Sequence, residues 1–180
     1  MDALVQIEAG DRQLLVEIGE TLAEAARRSG PWLVCRPGCT QCCTGPFDIT
    51  QLDARRLQAG LRALSEMDPA RAAAVRGRAA EYVRQPDLDE LACPALDPAT
   101  GRCDLYEARP VTCRAFGPAT WVGEGALGAC ELCYEGATDD QMAACAVEID
   151  PDGHEAALVE ALAAEGVGGM TIVAYALAAG

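Results

Sequence analysis

The chain has 180 residues, is 51% hydrophobic and carries a formal net charge of −14 at pH 7. That is enough apolar material for a domain with its own core, so disulfides are not needed to rescue a tiny fold. So acidic a chain lacks the electrostatic footprint of a general nucleic-acid binder.

The opening MDALVQIEAG has no basic n-region and no long apolar run, so no secretory signal is expected. The uncharged stretch 166–180 holds four glycines and is shorter than the roughly 20 apolar residues of a spanning helix. A docked core helix is expected there, with no membrane partner and a reducing cytosol as the compartment. In that setting a cysteine cluster reads as a metal or redox site rather than a disulfide framework. All fourteen cationic residues are Arg, and residues 51–84 hold seven of them against four acids. The preferred reading of that segment is a solvated helix face; the other is contact with an anion or acidic protein partner.

In chain order, Val5 and Ile7 alternate with Gln6 and Glu8, Gly10-Asp11 supplies turn chemistry, and Leu14, Val16 and Ile18 share a parity. This pattern predicts a β-hairpin. Thr21-Leu-Ala-Glu24 is a capping box and predicts a short helix to Arg28. Residues 31–47 hold Pro31, Pro37, Gly38, Gly45 and Pro46 and predict an irregular loop. Thr50 precedes a helical pattern with Leu52, Leu57, Leu61 and Leu64 on one face. Asp68-Pro69 starts a second helix that ends before Pro86. Residues 86–137 read as irregular. Thr138-Asp-Asp-Gln141 and Asp152-Gly-His-Glu155 each open a helix, and Thr171 caps a last one, with a strand as the alternative. The expected fold is mainly α: one domain over 1–180, with a short N-terminal hairpin and a long irregular metal-wrapping segment. Its core motif spans about 35–116, and a helical extension spans 138–180.

Ten cysteines dominate the chemistry. Cys35, Cys39, Cys42 and Cys43 form a C-x₃-C-x₂-C-C cluster, followed by Cys93, Cys103 and Cys113, and then the pair Cys130 and Cys133. Thiolate sulfur is a preferred ligand of soft metals and iron–sulfur clusters, and nearby thiols in one loop can converge on one centre. The bland reading, four inert buried thiols, fits poorly with a Pro/Gly loop. Cys43 follows Cys42 directly, so its side chain points elsewhere unless the chain turns sharply.

The second block reads Cys93-Pro94, Gly101-Arg-Cys103-Asp-Leu-Tyr106, then Arg109-Pro110-Val-Thr-Cys113-Arg114-Ala-Phe116. Together the two blocks resemble the YkgJ-type cysteine-cluster family of zinc- or iron-chelating domains. The resemblance covers about residues 35–116, and the R-P-x-x-C-R-x-F run is its most specific part. It implies a bound metal, with Cys35, Cys39, Cys42, Cys43, Cys93, Cys103 and Cys113 as candidate ligands and Arg109 and Arg114 as motif residues. The family includes members attached to flagellin lysine methylation, which look like iron–sulfur proteins. The first gap here is three residues rather than two, which loosens the assignment of Cys35.

Several thiolates in one place carry excess negative charge. Guanidinium groups such as those of Arg109 and Arg114 can donate to sulfur and tune the centre. The alternative is surface ion pairing with Asp104 or Glu107. Cys130 and Cys133 have zinc-knuckle spacing, which also suits a redox dithiol. They complete the first centre, build a second, or only pack. Cys145 lies in an Ala-rich helical stretch and reads as buried and inert. His154, the sole histidine, reads as a solvated first-turn residue.

Three loop cysteines with a remote Cys-Pro are an iron–sulfur habit, whereas structural zinc takes two paired knuckles. The reading leans to an iron–sulfur cluster, with zinc next. The C-x₃-C-x₂-C spacing also coincides with the radical S-adenosylmethionine motif. The chain is short and lacks the repeated β–α pattern of that fold, so the coincidence carries no weight. The function expected is a metal-binding protein of accessory, storage or sensing type. The alternatives are an iron–sulfur enzyme of redox or methyl-transfer chemistry, or a dithiol redox protein.

Overall fold

The computed structural model describes residues 3–123 and 125–180. In chain order its elements are α1 (Ala3–Ser29), a 3₁₀ turn (Gly30–Trp32), β1 (Asp48–Thr50), α2 (Gln51–Met67), α3 (Pro69–Tyr82), β2 (Leu96–Asp97), β3 (Arg102–Cys103), a second 3₁₀ turn (Tyr106–Ala108), α4 (Val111–Ala115), β4 (Thr120–Trp121), β5 (Leu127–Gly128), α5 (Asp139–Cys145), α6 (His154–Ala164), β6 (Met170–Ile172) and α7 (Val173–Ala178). Helix dominates, and the strands come in short antiparallel pairs: β1 with β6, β2 with β3, and β4 with β5. The mainly α expectation holds. Among the described residues, no helix is long and apolar enough to cross a membrane. The chain divides into two compact units. The first joins Met1–Arg36 to Arg114–Glu165, and the second joins Pro37–Cys113 to Gly166–Gly180.

In the first unit, one long helix replaces the predicted hairpin. Ile7, Asp11, Leu14, Ile18, Ala25 and Ser29 are the buried residues of α1. Their spacing follows the helical period, so they form one stripe. The alternation over Val5–Glu8 was too short a window to distinguish the two periods. Gly10 sits mid-helix, where a Cβ would lie 2.8 Å from Leu158 Cδ2 of α6. It therefore permits close helix approach rather than a turn. Thr21 starts no separate helix, and Glu24 instead pairs with Arg27 and Arg28 along α1.

The capping box of α5 is present on both sides, from Thr138 and from Gln141. For α6, Asp150 rather than Asp152 serves the helix start. Its carboxylate accepts from the His154 amide at 3.0 Å and from the Glu155 amide at 2.8 Å. A small core gathers Ala119, Cys133, Tyr134, Cys145 and Ala146, with Trp32 and Leu33 packed against it.

In the second unit, Thr50 caps α2 by accepting from the Asp53 amide at 3.1 Å. Leu52, Leu57, Leu61 and Leu64 are buried as the pattern predicts. Asp68 accepts from the Arg71 amide at 3.0 Å, and Pro69 opens α3. Both helices pack on each other and on α7, around Leu57, Leu61, Val75 and Leu177. Each such fully buried aliphatic side chain contributes about 1.5–3 kcal/mol. Thr171 does not cap the last helix. It pairs with Ile49 in the β1–β6 ladder, and α7 starts after Ile172.

The Arg-rich segment is not simply a solvated face. Arg56 is buried and donates to Asp53 Oδ1 at 2.5 Å. The same oxygen accepts the Val111 amide at 3.1 Å, so Asp53 ties α2 to the start of α4. Removing one partner of a buried pair leaves an uncompensated charge. Asp53→Ala should therefore cost about 3–5 kcal/mol, measured by urea unfolding. Asp53→Asn keeps an acceptor for Val111 and should cost less.

Candidate metal centre

In the second unit, backbone pairing joins the two cysteine blocks. The Gly45 amide donates to the Leu91 carbonyl at 2.8 Å, Thr44 bridges Ala92, and the Cys93 amide donates to the Cys43 carbonyl at 2.7 Å. Gly45 has φ +101°, a conformation that L side chains rarely adopt. The Cys43 amide closes a tight turn on the Thr40 carbonyl at 2.9 Å. That turn brings the Cys42 and Cys43 thiols into a hydrogen bond with each other. Cys43 therefore does not point away from its neighbour.

The β2–β3 hairpin pairs Leu96 with Cys103. The amides of Ala95 and Leu96 donate to the Cys93 sulfur, and the Leu105 amide donates to the Cys103 sulfur. Asp104, next to Cys103, is held by two arginines of α3. Arg78 meets it at 2.5 Å, and Arg71 pairs with it as well. Arg78 also donates to the Pro94 carbonyl at 2.8 Å, so one side chain fastens Cys93-Pro94 and Cys103-Asp104 together. The short helix α4 carries Cys113, two residues past the Val111 that Asp53 anchors.

The electrostatics follow from burial. Burial pushes Cys93 up to about 11 and Cys113 up to about 12, and it raises Cys103. Cys113 also feels the charges of Cys93, Cys103 and Cys42. Cys42 moves the other way, down to about 6. The Cys43 hydrogen bond is the main cause, and its own amide and the Arg109 charge add to it. Cys43, as that donor, is held protonated. Five sulfurs thus lie within electrostatic reach of one another. Arg109 favours charge on Cys42, Cys103 and Cys113, while its guanidinium stacks 3.7 Å over the Tyr106 ring. Cys39 is half-buried in the same loop.

The donor set suits a soft metal: grouped thiols, amides aimed at sulfur and a cation to balance charge. Among the described residues, no three Cys, His, Asp or Glu side chains already stand in ligating geometry.

The remaining candidates belong to the first unit. Cys35 is exposed, Cys130 half-buried and Cys133 buried. Arg114 is half-buried there. Cys145 is buried with its Sγ 3.4 Å from the Arg28 carbonyl, as an inert thiol would be. His154 is exposed and sits 3.3 Å from Glu17. Sequence reasoning missed Asp53, Arg78 and Asp104 as the residues that position the cysteines. Thr50-x-x-Asp53 carried a helix-start signal, but nothing local revealed the long-range partners.

Fold and thiol constellation together define a small, mainly helical, thiol-rich chelating domain. The sequence model of the CxxCxxCC family, described as a putative zinc- or iron-chelating domain, matches residues 34–145, and the chain belongs to this family. No curated protein and no solved structure matches it.

In metal-free protein at pH 7, Cys42 should be the first of the second unit's cysteines to react with iodoacetamide, because the thiolate is the nucleophile. Its labelling rate should fall as pH drops through about 6, where the thiolate takes up a proton. Arg109→Ala removes a nearby positive charge, raises the Cys42 pKa and should slow labelling at pH 7. Mass spectrometry of timed digests reads all three outcomes.

Proposed function

We propose that the protein binds an iron–sulfur centre through thiolates drawn from Cys39, Cys42, Cys43, Cys93, Cys103 and Cys113, and acts as an accessory, storage or sensing protein. The observation that carries the reading is the set of five electrostatically linked thiols, with amides donating to the sulfurs of Cys42, Cys93 and Cys103. Hydrogen bonds to sulfur stabilise cluster ligation and tune its potential. A loop of cysteines with a remote Cys93-Pro94 is the spacing such centres use. Arg109 supplies positive charge beside the thiolates and is assigned to charge balance around the centre. Three of the five thiols are held protonated by burial, so loading the site must release protons and is favoured by rising pH.

Protein purified without oxygen should be brown, with iron and labile sulfide. Colourless protein with stoichiometric zinc would overturn the cluster while keeping the chelating role. Cys42→Ser and Cys113→Ser each exchange a soft ligand for a poor one and should lower metal content sharply. Cys145→Ser should leave it nearly unchanged. Equal metal loading in the wild type and both ligand variants would reject the assignment.

A further inference from the structure

The five linked thiols of the second unit leave Cys39 to be accounted for. Cys39 is half-buried, whereas Gly38 before it and Thr40 after it are exposed, so its side chain turns inward from a surface segment. The turn that leads to it is Pro37-Gly38, with Gly38 at φ +91°. Proline followed by a left-handed glycine is the pairing that a type II turn favours. Downstream, the loop is fastened where Cys43, Thr44 and Gly45 pair with Leu91, Ala92 and Cys93. Upstream, it lies on the tip of the β2–β3 hairpin.

That tip is a closed turn with its own bonds. The Gly101 amide donates to the Asp97 carbonyl at 2.9 Å. The Asp97 carboxylate accepts the Ala99 amide at 3.0 Å and the Thr100 hydroxyl at 2.6 Å. The Thr100 hydroxyl oxygen in turn accepts the Arg102 amide at 3.3 Å. So many bonds within one short turn leave it little room to yield.

The Cys39 segment rests directly on this tip. Gly101 has φ +67°, and a Cβ there would stand 3.2 Å from the Gly38 carbonyl oxygen, 3.5 Å from Gly38 Cα and 3.5 Å from Thr40 Cγ2. From the other side, a Cβ on Gly38 would stand 3.9 Å from the Thr100 carbonyl oxygen. The residues on both sides of Cys39 thus meet one bare Cα, the close backbone approach that glycine alone permits. Gly101 also leads into β3, which carries Cys103. The contact therefore sets one cysteine segment against the element that holds another.

We propose that Gly101 is a positioning residue for the chelating centre: its missing side chain seats the segment 37–40 and thereby brings Cys39 into the ligand set. The inference rests on the thiol centre proposed above and adds to it the device that recruits Cys39. A methyl group at position 101 has two effects. It makes the left-handed backbone unfavourable. It also pushes on the Gly38 carbonyl, and the exposed segment gives way sooner than the bonded tip. The second effect is the one that displaces Cys39.

The test uses the full chain, loaded with ferrous iron and sulfide without oxygen, then labelled with iodoacetamide and read by mass spectrometry of timed digests. In the wild type, the loaded centre should shield Cys39 together with Cys93 and Cys113. Gly101→Ala should lose the shielding of Cys39 and keep that of Cys93 and Cys113. Gly101→Asn tolerates the left-handed backbone but keeps a Cβ, and should expose Cys39 in the same way. Gly166 is the control in the same unit, with φ +83° and nothing within 4 Å of a Cβ. Gly166→Ala should leave Cys39 shielded. Added to Cys39→Ser, Gly101→Ala should cause no further loss of iron, because both changes remove the same ligand. Far-UV circular dichroism controls for folding.

Cys39 still shielded in both Gly101 variants overturns the inference. So does equal exposure of Cys93 and Cys113, or an additive loss of iron in the double variant, since a general loosening produces either. Cys39 labelled freely in the loaded wild type, with Cys93 and Cys113 shielded, overturns the inference and leaves the centre standing. If iron and sulfide do not bind, the same labelling is run with zinc(II). Shielding of Cys39 that Gly101→Ala removes then upholds the inference while the cluster reading falls, and no shielding with either metal overturns both.

Discussion

The hydrogen bond from the Cys93 amide to the Cys43 carbonyl joins stretches of chain that sequence keeps far apart. Without that pairing and its neighbours at Thr44 and Gly45, the loop cysteines would have only each other. With it, Cys42 and Cys43 share one neighbourhood with Cys93, and the β2–β3 hairpin adds Cys103. The site is therefore a product of backbone geometry before it is a product of thiol chemistry. Side chains then lock it. Arg78 holds Pro94 and Asp104 at once, and Asp53 fixes the helix that presents Cys113.

The same burial that gathers the thiols makes them poor anions. Cys93, Cys103 and Cys113 are raised by desolvation and by one another, which opposes three or four thiolates in one place. A soft metal cation bound by sulfur would reverse that balance, because it would displace the protons and offset the repulsion together. Arg109 begins the compensation, and the chain's overall negative charge cannot. A constellation costly when empty and stable when filled is what chelation requires of a protein, and it fits the family the chain belongs to.

How far the sequence spoke depends on the range of each signal. Helix starts are written within four residues, so Thr50, Asp68-Pro69 and Thr138 with Gln141 could be read directly. The hairpin over residues 5–18 failed because Gly10 was read by its turn propensity, whereas its role is to let Leu158 approach α1. Spacing identified the cysteine blocks, but it could not show that the sharp turn at Thr40–Cys43 makes neighbouring thiols meet. Sequence offered Asp104 or Glu107 as one alternative partner for the neighbouring Arg109 and Arg114, yet the arginines that pair with Asp104 include Arg71 and Arg78 of α3, a helix away. The left-handed Tyr134, at φ +61°, has no sequence signal at all, since residue type argues against it.

The two units are interleaved along the chain, and this constrains how the cysteines sort. The motif recognised as one run, about 35–116, is cut near both ends: Cys35 and Arg114 fall in one unit, and Cys39 to Cys113 fall in the other. Each unit also needs a distant second segment. The first takes α5 and α6 to cover α1, and the second takes β6 and α7 to cover α2 and α3. Such non-local closure is slow, because loop entropy is paid before the contacts reward it. Cutting the chain after Phe116 would strip α7 from the core around Leu57 and Leu61 as well as removing the Cys130–Cys133 turn. A fragment carrying the whole recognised motif would then lack the apolar cover that keeps its thiols buried. The motif is a pattern of candidate ligands, and segments outside it supply part of the core that buries them.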